Sequence, residues 1–260
     1  MGTYYYPEHE QAYARIEREG KTGWDELHGG TGFDDFSSRD FLERALEMLR
    51  PPPAETDVLE YGCGTGPGAC FLAARGFRVD AIDLIPRAIA LARRLAAERG
   101  LAVDFAIRDV CALADERPEK RYGLIVDSYC LQSVVLDADR ARLFAAVRAR
   151  LKPTGRYLIS TAMHDPARRY DVEDVHDERT GCVWSRLGGE AERHRDVAGA
   201  RRIGGVWHLP NRRHLRPAAL RAELAGAGFE VLWQGGHLGG EVICAHARDA
   251  EASLPSSAPG

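Results

Sequence analysis

The chain has 260 residues, 45% hydrophobic and 28% charged, with a formal net charge of −4 and six cysteines. Length and composition fit one large α/β domain, alone or with a modest insertion, around a packed core. The negative balance speaks against a nucleic-acid partner, and six cysteines without a C-x-x-C pair speak against a disulfide framework or a structural zinc.

The N-terminal stretch has no apolar signal core, and no apolar run is long enough for a bilayer, so a cytoplasmic protein without a membrane partner is expected. Residues 1–40 are polar and aromatic, with weak helical periodicity around Tyr13 and Ile16, and read as an N-terminal helical lid. "SSRDFLERALEMLR" predicts a helix with Ser38 as N-cap and Phe41, Leu42, Ala45, Leu46 and Leu49 as its apolar stripe, ended by Pro51-Pro52-Pro53.

An alternation of strands and helices follows. "DVLEYG", "FRVDAID", "AVDFAIRD", "YGLIVDSY" and "GRYLISTAM" predict five strands. "PGACFLAAR", "PRAIALARRLAAERG" and "DADRARLFAAVRARL" predict helices, with Pro67 and Pro86 in first turns and Asp137 as an N-cap. From about residue 164 to 216 a charged, Gly-rich insertion breaks the pattern, and "GCVWSRL" and "RIGGVWHL" within it read as a hairpin. "PAALRAELAGAG" is a last helix, and "FEVLWQ" and "EVICAHA" are last strands. The fold expected is a doubly wound, mostly parallel seven-stranded α/β sheet. Its final strand, after a short Gly-rich turn, should be antiparallel. The domain spans 41–248, and 249–260 reads as a disordered tail.

The densest signal is "VLEYGCGTGPG", where a strand ends in Glu60 and Gly62, Gly64, Gly66 and Gly68 precede a helix. Glycine lets the backbone double back and approach a ligand closely. The next strands end in acids too: Asp83 in "AIDLIPRAI", Asp109 in "AIRDVCAL" and Asp127 in "LIVDSYCLQSVV". Pro67 stands where the dinucleotide fingerprint G-x-G-x-x-G wants its third glycine.

An acid followed by G-x-G-x-G resembles motif I of the class I S-adenosylmethionine-dependent methyltransferases, here of small-molecule type. That resemblance implies that Glu60, Tyr61, Gly62, Cys63, Gly64 and Gly66 wrap the methionine part of S-adenosylmethionine. Asp83 and Leu84 would take the ribose, and Asp109 and Val110 the adenine. Asp127, Ser128 and Tyr129 would face the methyl end, with Gln132 toward the acceptor. It implies in-line methyl transfer to an O or N atom of a small molecule.

"Y-x-R-x-x-x-x-G-K-T-G-W" resembles the N-terminal lid of such enzymes, so Trp24 either faces the sulfonium or anchors the lid. Tyr5 and Tyr6 border the acceptor or merely pack, and His28 and His164 are candidate general bases. Trp207, Arg213 and His214 are candidate acceptor contacts or loop stabilisers. No metal is expected, because no His pair has a familiar ligand spacing. A homodimer is compatible with the sequence. The competing readings are an NAD(P)-dependent reductase, which lacks a Tyr-x-x-x-Lys pair here, and a non-catalytic binder of S-adenosylmethionine.

Overall fold

The computed structural model describes residues 3–30, 32–189, 193 and 195–247; the tail expected at 249–260 lies outside the described residues. Three helices come first: α1 (Tyr6–Arg18), α2 (Trp24–Leu27) and α3 (Arg39–Leu49). The alternating part runs β1 (Asp57–Tyr61), α4 (Pro67–Ala73), β2 (Arg78–Asp83), α5 (Pro86–Glu98), β3 (Asp104–Ile107), β4 (Tyr122–Ser128), α6 (Asp137–Arg150) and β5 (Leu151–Ser160). Four short strands follow: β6 (Val175–Asp177), β7 (Cys182–Arg186), β8 (Arg201–Ile203) and β9 (Val206–Arg213). The chain ends on α7 (Pro217–Gly226), β10 (Phe229–Gly235) and β11 (Glu241–His246).

The main sheet has seven strands in the order β10-β11-β5-β4-β1-β2-β3. Neighbouring pairs from β3 to β5 are parallel, whereas β11 is antiparallel to both β5 and β10. The last strand is therefore the single reversed one, as its short Gly-rich approach predicts. Side chains alternate across each strand. Val58, Leu124, Val126 and Leu158 pack under α3, α4 and α5. Leu59, Tyr61, Ile125 and Tyr157 pack under α6 and α7. Burial on both faces is why these strands read as continuous apolar runs.

Two helix starts differ from the sequence expectation. Ser38 holds the N-cap position of α3, but its hydroxyl donates to the Ser128 hydroxyl at 3.1 Å instead of capping. Leu136, not Asp137, is the N-cap of α6, and Asp137 is its first residue.

The insertion builds a second, antiparallel sheet in the order β6-β7-β9-β8. The expected pairing of "GCVWSRL" with "RIGGVWHL" is present as β7 against β9, but β8 and β9 also fold back on each other. Gly204 and Gly205, at φ +57 and +86, make the two-residue turn that this hairpin needs. Tyr4, Val135, Trp184, Leu187 and Leu209 form a separate small core beneath it. The Tyr4 hydroxyl accepts the Val135 and Leu136 N–H groups at 2.7 and 3.1 Å, tying the N-terminus to the start of α6.

The N-terminal segment is helical and docked. Tyr13 and Ile16 of α1 are buried against Ile85, which precedes α5, and against Ala88 and Leu91 of α5. Among the described residues, no helix is long and apolar enough to cross a membrane, and all six cysteines are free thiols.

Candidate active site

Between β1 and β4 the strand order turns back, and there the carboxyl ends of parallel strands leave a crevice. A cavity of about 260 Å³ lies in it, walled by the glycine loop, the ends of β2 and β4, and α1 and α2 from above.

Gly62 and Gly64 line the cavity in left-handed conformation, at φ +59 and +58. A Cβ on Gly62 would sit 2.4 Å from Cys130 Sγ, and one on Gly64 would sit 2.6 Å from the Tyr13 hydroxyl. Both positions therefore require glycine for backbone conformation and for space. Cys63 lines the same wall. Two expected loop contacts point elsewhere. Gly66 is the N-cap of α4, where a Cβ would sit 2.9 Å from the Phe105 ring, outside the cavity lining. Tyr61 is fully buried on the α6 side, where its hydroxyl bonds to that of Tyr157, because strand alternation turns it away from Glu60.

The acids divide the work. The Asp83 carboxylate accepts the Gly64 N–H at 2.9 Å and the Ile85 N–H at 2.8 Å, so it holds the loop and the entry to α5 together. This replaces the small N-cap side chain that Ile85 lacks. Each oxygen keeps a lone pair for a ligand, and Leu84 lines the wall beside it. Burial raises the Asp83 carboxyl above its ordinary range.

Asp109 accepts the Cys111 N–H at 2.8 Å, and both its oxygens lie 3.3 Å from the donating Tyr5 hydroxyl. Tyr5, Asp109 and Val110 thus share one end of the cavity.

Glu60 is buried at the cavity floor, and burial pushes its carboxyl up to about 8, with Asp127 and Asp83 adding and the Ser128 hydroxyl opposing. Its Oε2 has no hydrogen-bond partner among the described residues.

Asp127 does not reach the cavity. Its Oδ1 accepts the Cys130 and Leu131 N–H groups at 3.0 Å each, which shapes the turn after β4. Burial pushes it up to about 7. That turn presents Ser128, Tyr129 and Gln132 to the cavity. Tyr129 adopts φ +62, a costly conformation for a non-glycine residue, and its N–H donates to Ser160 at 2.7 Å. Gln132 is fixed by accepting the Ala162 N–H at 2.7 Å.

From the N-terminal segment, Trp24 lines the cavity, with the His9 ring at 5.2 Å and the Tyr13 ring at 5.9 Å. His28 stacks on Trp24 at 5.9 Å but lies outside the cavity wall, and Tyr6 packs with Ile16 and Leu91.

The residues expected from the insertion do not reach the cavity, because the second sheet uses them for packing. His164 stacks on His176 at 5.8 Å, His176 on Tyr170 at 4.7 Å, and Tyr170 on His214 at 6.1 Å. His214 accepts from Arg168 at 2.9 Å, and burial and that guanidinium push it down to about 3. Trp207 packs in the insertion core. Arg213 donates to the Val135 carbonyl at 3.1 Å and pairs with Asp137. It borders a second hollow of about 790 Å³ between α6 and α7, where Arg140 and Glu223 are paired at 2.6 Å.

Arg212, one residue earlier, does line the cavity, and it binds both oxygens of Glu8 at 2.8 and 2.9 Å. Phe33, Phe36, Tyr13 and His9 also line it. The periodicity of α1 puts His9, four residues before Tyr13, on the same inward face, and that spacing is the signal by which His9 is legible in the sequence. Alternation along β9 separates Arg212 from Arg213, but only once that strand is placed.

Residues 58–155 match a family described as "Methyltransferase domain". That segment is similar to the family, and the rest of the chain lies outside the match. The match runs from β1 to β5 and leaves the lid and the insertion outside it.

Within curated proteins, a 2-heptyl-1-hydroxyquinolin-4(1H)-one methyltransferase of Mycobacteroides abscessus is 33% identical over 115 residues, 44% of this chain and 49% of that protein. A ubiquinone biosynthesis O-methyltransferase of Xanthomonas euvesicatoria pv. vesicatoria is 34% identical over 128 residues, 49% of this chain and 50% of that protein. The chain thus spans about half the length of the curated relatives it matches.

Among solved structures, the methyltransferase CcbJ from Streptomyces caelestis superposes with a TM-score of 0.62 at 18% identity, covering 92% of this chain and 99% of that one. The 1,6-didemethyltoxoflavin-N1-methyltransferase of Burkholderia thailandensis, solved with 1,6-didemethyltoxoflavin and S-adenosylhomocysteine, gives 0.56 at 19% identity, covering 93% and 91%. At these identities the likeness is one of fold.

Proposed function

We propose that the cavity binds S-adenosylmethionine and that the chain transfers its methyl group to an O or N atom of a small molecule. One observation carries this reading. Glu60, Gly62, Gly64, Asp83 and Asp109, from the ends of three successive parallel strands, meet around a single cavity closed by Trp24 and Tyr5.

The residues present fit that cofactor. The glycines leave bare backbone where a side chain would collide. Asp83 and Asp109 keep lone pairs for hydroxyl and amino groups after bonding the backbone. The unpartnered Oε2 of Glu60 suits a cationic ligand end.

S-adenosylmethionine supplies, when bound, a sulfonium methyl open to in-line attack. The chain's own part is positioning and exclusion of water. Asp83 and Asp109 orient the ribose and adenine ends, Ser128 and Gln132 border the reacting end, and α1 and α2 roof the site. The relatives' names, a 2-heptyl-1-hydroxyquinolin-4(1H)-one methyltransferase and a ubiquinone biosynthesis O-methyltransferase, support a small, ring-bearing acceptor, as do the Phe33, Phe36 and Trp24 walls.

Calorimetry with S-adenosylhomocysteine and, separately, with NADH tests the reading. Micromolar binding of the first and none of the second is expected. Binding of NADH alone overturns it and favours the reductase.

A further inference from the structure

His9 stands on the cavity-facing side of α1. Its Nδ1 lies 2.6 Å from the Tyr5 carbonyl oxygen, which can only accept. Nδ1 therefore carries the ring proton. In the neutral ring Nε2 then keeps its lone pair, and no described residue donates to it. The Trp24 ring, 5.2 Å away at an angle of 31°, fixes the plane of the imidazole.

The other titratable groups on this wall are committed. Glu8, beside His9, is held by both nitrogens of Arg212. Asp83 and Asp109 accept backbone N–H groups and, on the reading above, the cofactor. Asp25 accepts the Ser37 N–H at 2.8 Å. Burial pushes the Tyr13 hydroxyl and the Cys130 thiol up, so neither ionises near neutrality.

We propose that His9 Nε2 is the general base for a hydroxyl-bearing acceptor, a phenol or an alcohol. The proposal rests on the methyltransferase reading. As the acceptor oxygen bonds to the methyl carbon, the carbon–sulfur bond breaks and its electron pair stays on sulfur. The hydroxyl proton passes to Nε2, and the resulting imidazolium gives it to water.

The groups facing the ring are Glu8 and Tyr13 from α1, Trp24 from α2, Arg212 from β9 and Asp83 from the end of β2. Burial and the Arg212 guanidinium lower the His9 pKa from 6.5, against the opposing pull of Glu8 and Asp83. The base is then neutral at pH 7, and its competence is lost as pH falls through that lowered value.

The test begins with nitrogen NMR of histidine-labelled protein saturated with S-adenosylhomocysteine, His9→Gln identifying the His9 signals. A proton on Nδ1, a bare Nε2 and titration below the ordinary histidine value are expected. A proton on Nε2, or a charged ring at pH 7, overturns the proposal.

His9→Gln should bind S-adenosylhomocysteine within about twofold of wild type while methylation of hydroxyl probes (phenol, catechol, 4-hydroxyquinoline) falls about 100-fold or more. It should also lose the acid limb of kcat/KM. Tenfold weaker binding by the variant would assign His9 to the cofactor instead. Methylation of amine or thiol probes without any hydroxyl probe would equally overturn it. Failure of the wild type to bind S-adenosylhomocysteine would break the underlying reading, whatever the tautomer of His9.

Discussion

The β1–β5 half and the insertion are both rich in acids, histidines and aromatics, yet only the first brings them to one cavity. In the parallel half every strand ends at the same edge, so Glu60, Asp83 and Ser128 converge there. The insertion is antiparallel, and its strands point their ends in opposite directions. There His164, His176, Tyr170 and His214 stack on one another. Residue type suggests chemistry in both regions, but strand direction decides where it can be assembled.

If the insertion is chiefly a packed support, removing its core should cost stability and spare the cofactor. Trp184 is 6% exposed, under the Arg201 guanidinium and beside Leu187 and Leu209. Trp184→Ala should cost about 3–5 kcal/mol in chemical denaturation. Affinity for S-adenosylhomocysteine should stay within about threefold. A tenfold loss of affinity in a folded variant would erase the distinction between the two regions.

In the parallel half the same kind of change should do both. Asp83→Ala removes the acceptor of the Gly64 and Ile85 N–H groups as well as the proposed ribose contact. Charge-assisted hydrogen bonds contribute about 1.5–3 kcal/mol each, and about 1.4 kcal/mol is tenfold in affinity. Calorimetry should show binding at least about tenfold weaker, and thermal unfolding a lower midpoint. Intact affinity would leave Asp83 a purely structural clamp.

Glu60 sharpens the comparison through pH. Its ordinary value of 4.5 rises to about 8 on folding. The folded chain therefore holds a proton that the unfolded chain has lost across that window. Stability from this group is complete below about 4.5 and is lost as pH rises toward about 8. Asp127, raised from 3.8 to about 7, adds a slope of the same sign. Denaturation midpoints measured from pH 5 to 8 should fall in wild type and fall less in Glu60→Gln. An unchanged slope would mean that Glu60 is ionised and solvated.

The smallest effect is expected at Arg213. Its ion pair with Asp137 lies at the edge of the fold, away from the cavity. Arg213→Gln should leave cofactor affinity within about twofold and lower stability by about 1 kcal/mol. Arg212→Gln should instead release Glu8 and make α1 more sensitive to protease. Equal behaviour of the two variants would show that the side of β9 on which an arginine stands does not matter.

The sheet, its reversed last strand, the glycine loop and the acids at the strand ends are legible in the amino-acid order, because they follow from local patterns that repeat at short range. Pro67 and Pro86 announce helix starts, and Gly62 and Gly64 announce a turn that no other residue can make without strain. Strand ends then bring Asp83 and Asp109, though not Asp127, to the cavity.

What each side chain does there is set by long-range packing. Tyr61 and Asp127 sit beside cavity residues in sequence but turn inward, one to a tyrosine pair and the other to a backbone turn. His9 and Arg212 belong to segments 200 residues apart, with Arg212 reaching Glu8 across that distance. His28, His164, Arg213 and His214 have the right chemistry and the wrong position. The reason is that burial, partner and direction are properties of long-range packing. A histidine's role depends on which nitrogen is bonded and which is left free, and that is settled by neighbours the chain brings together only when it folds.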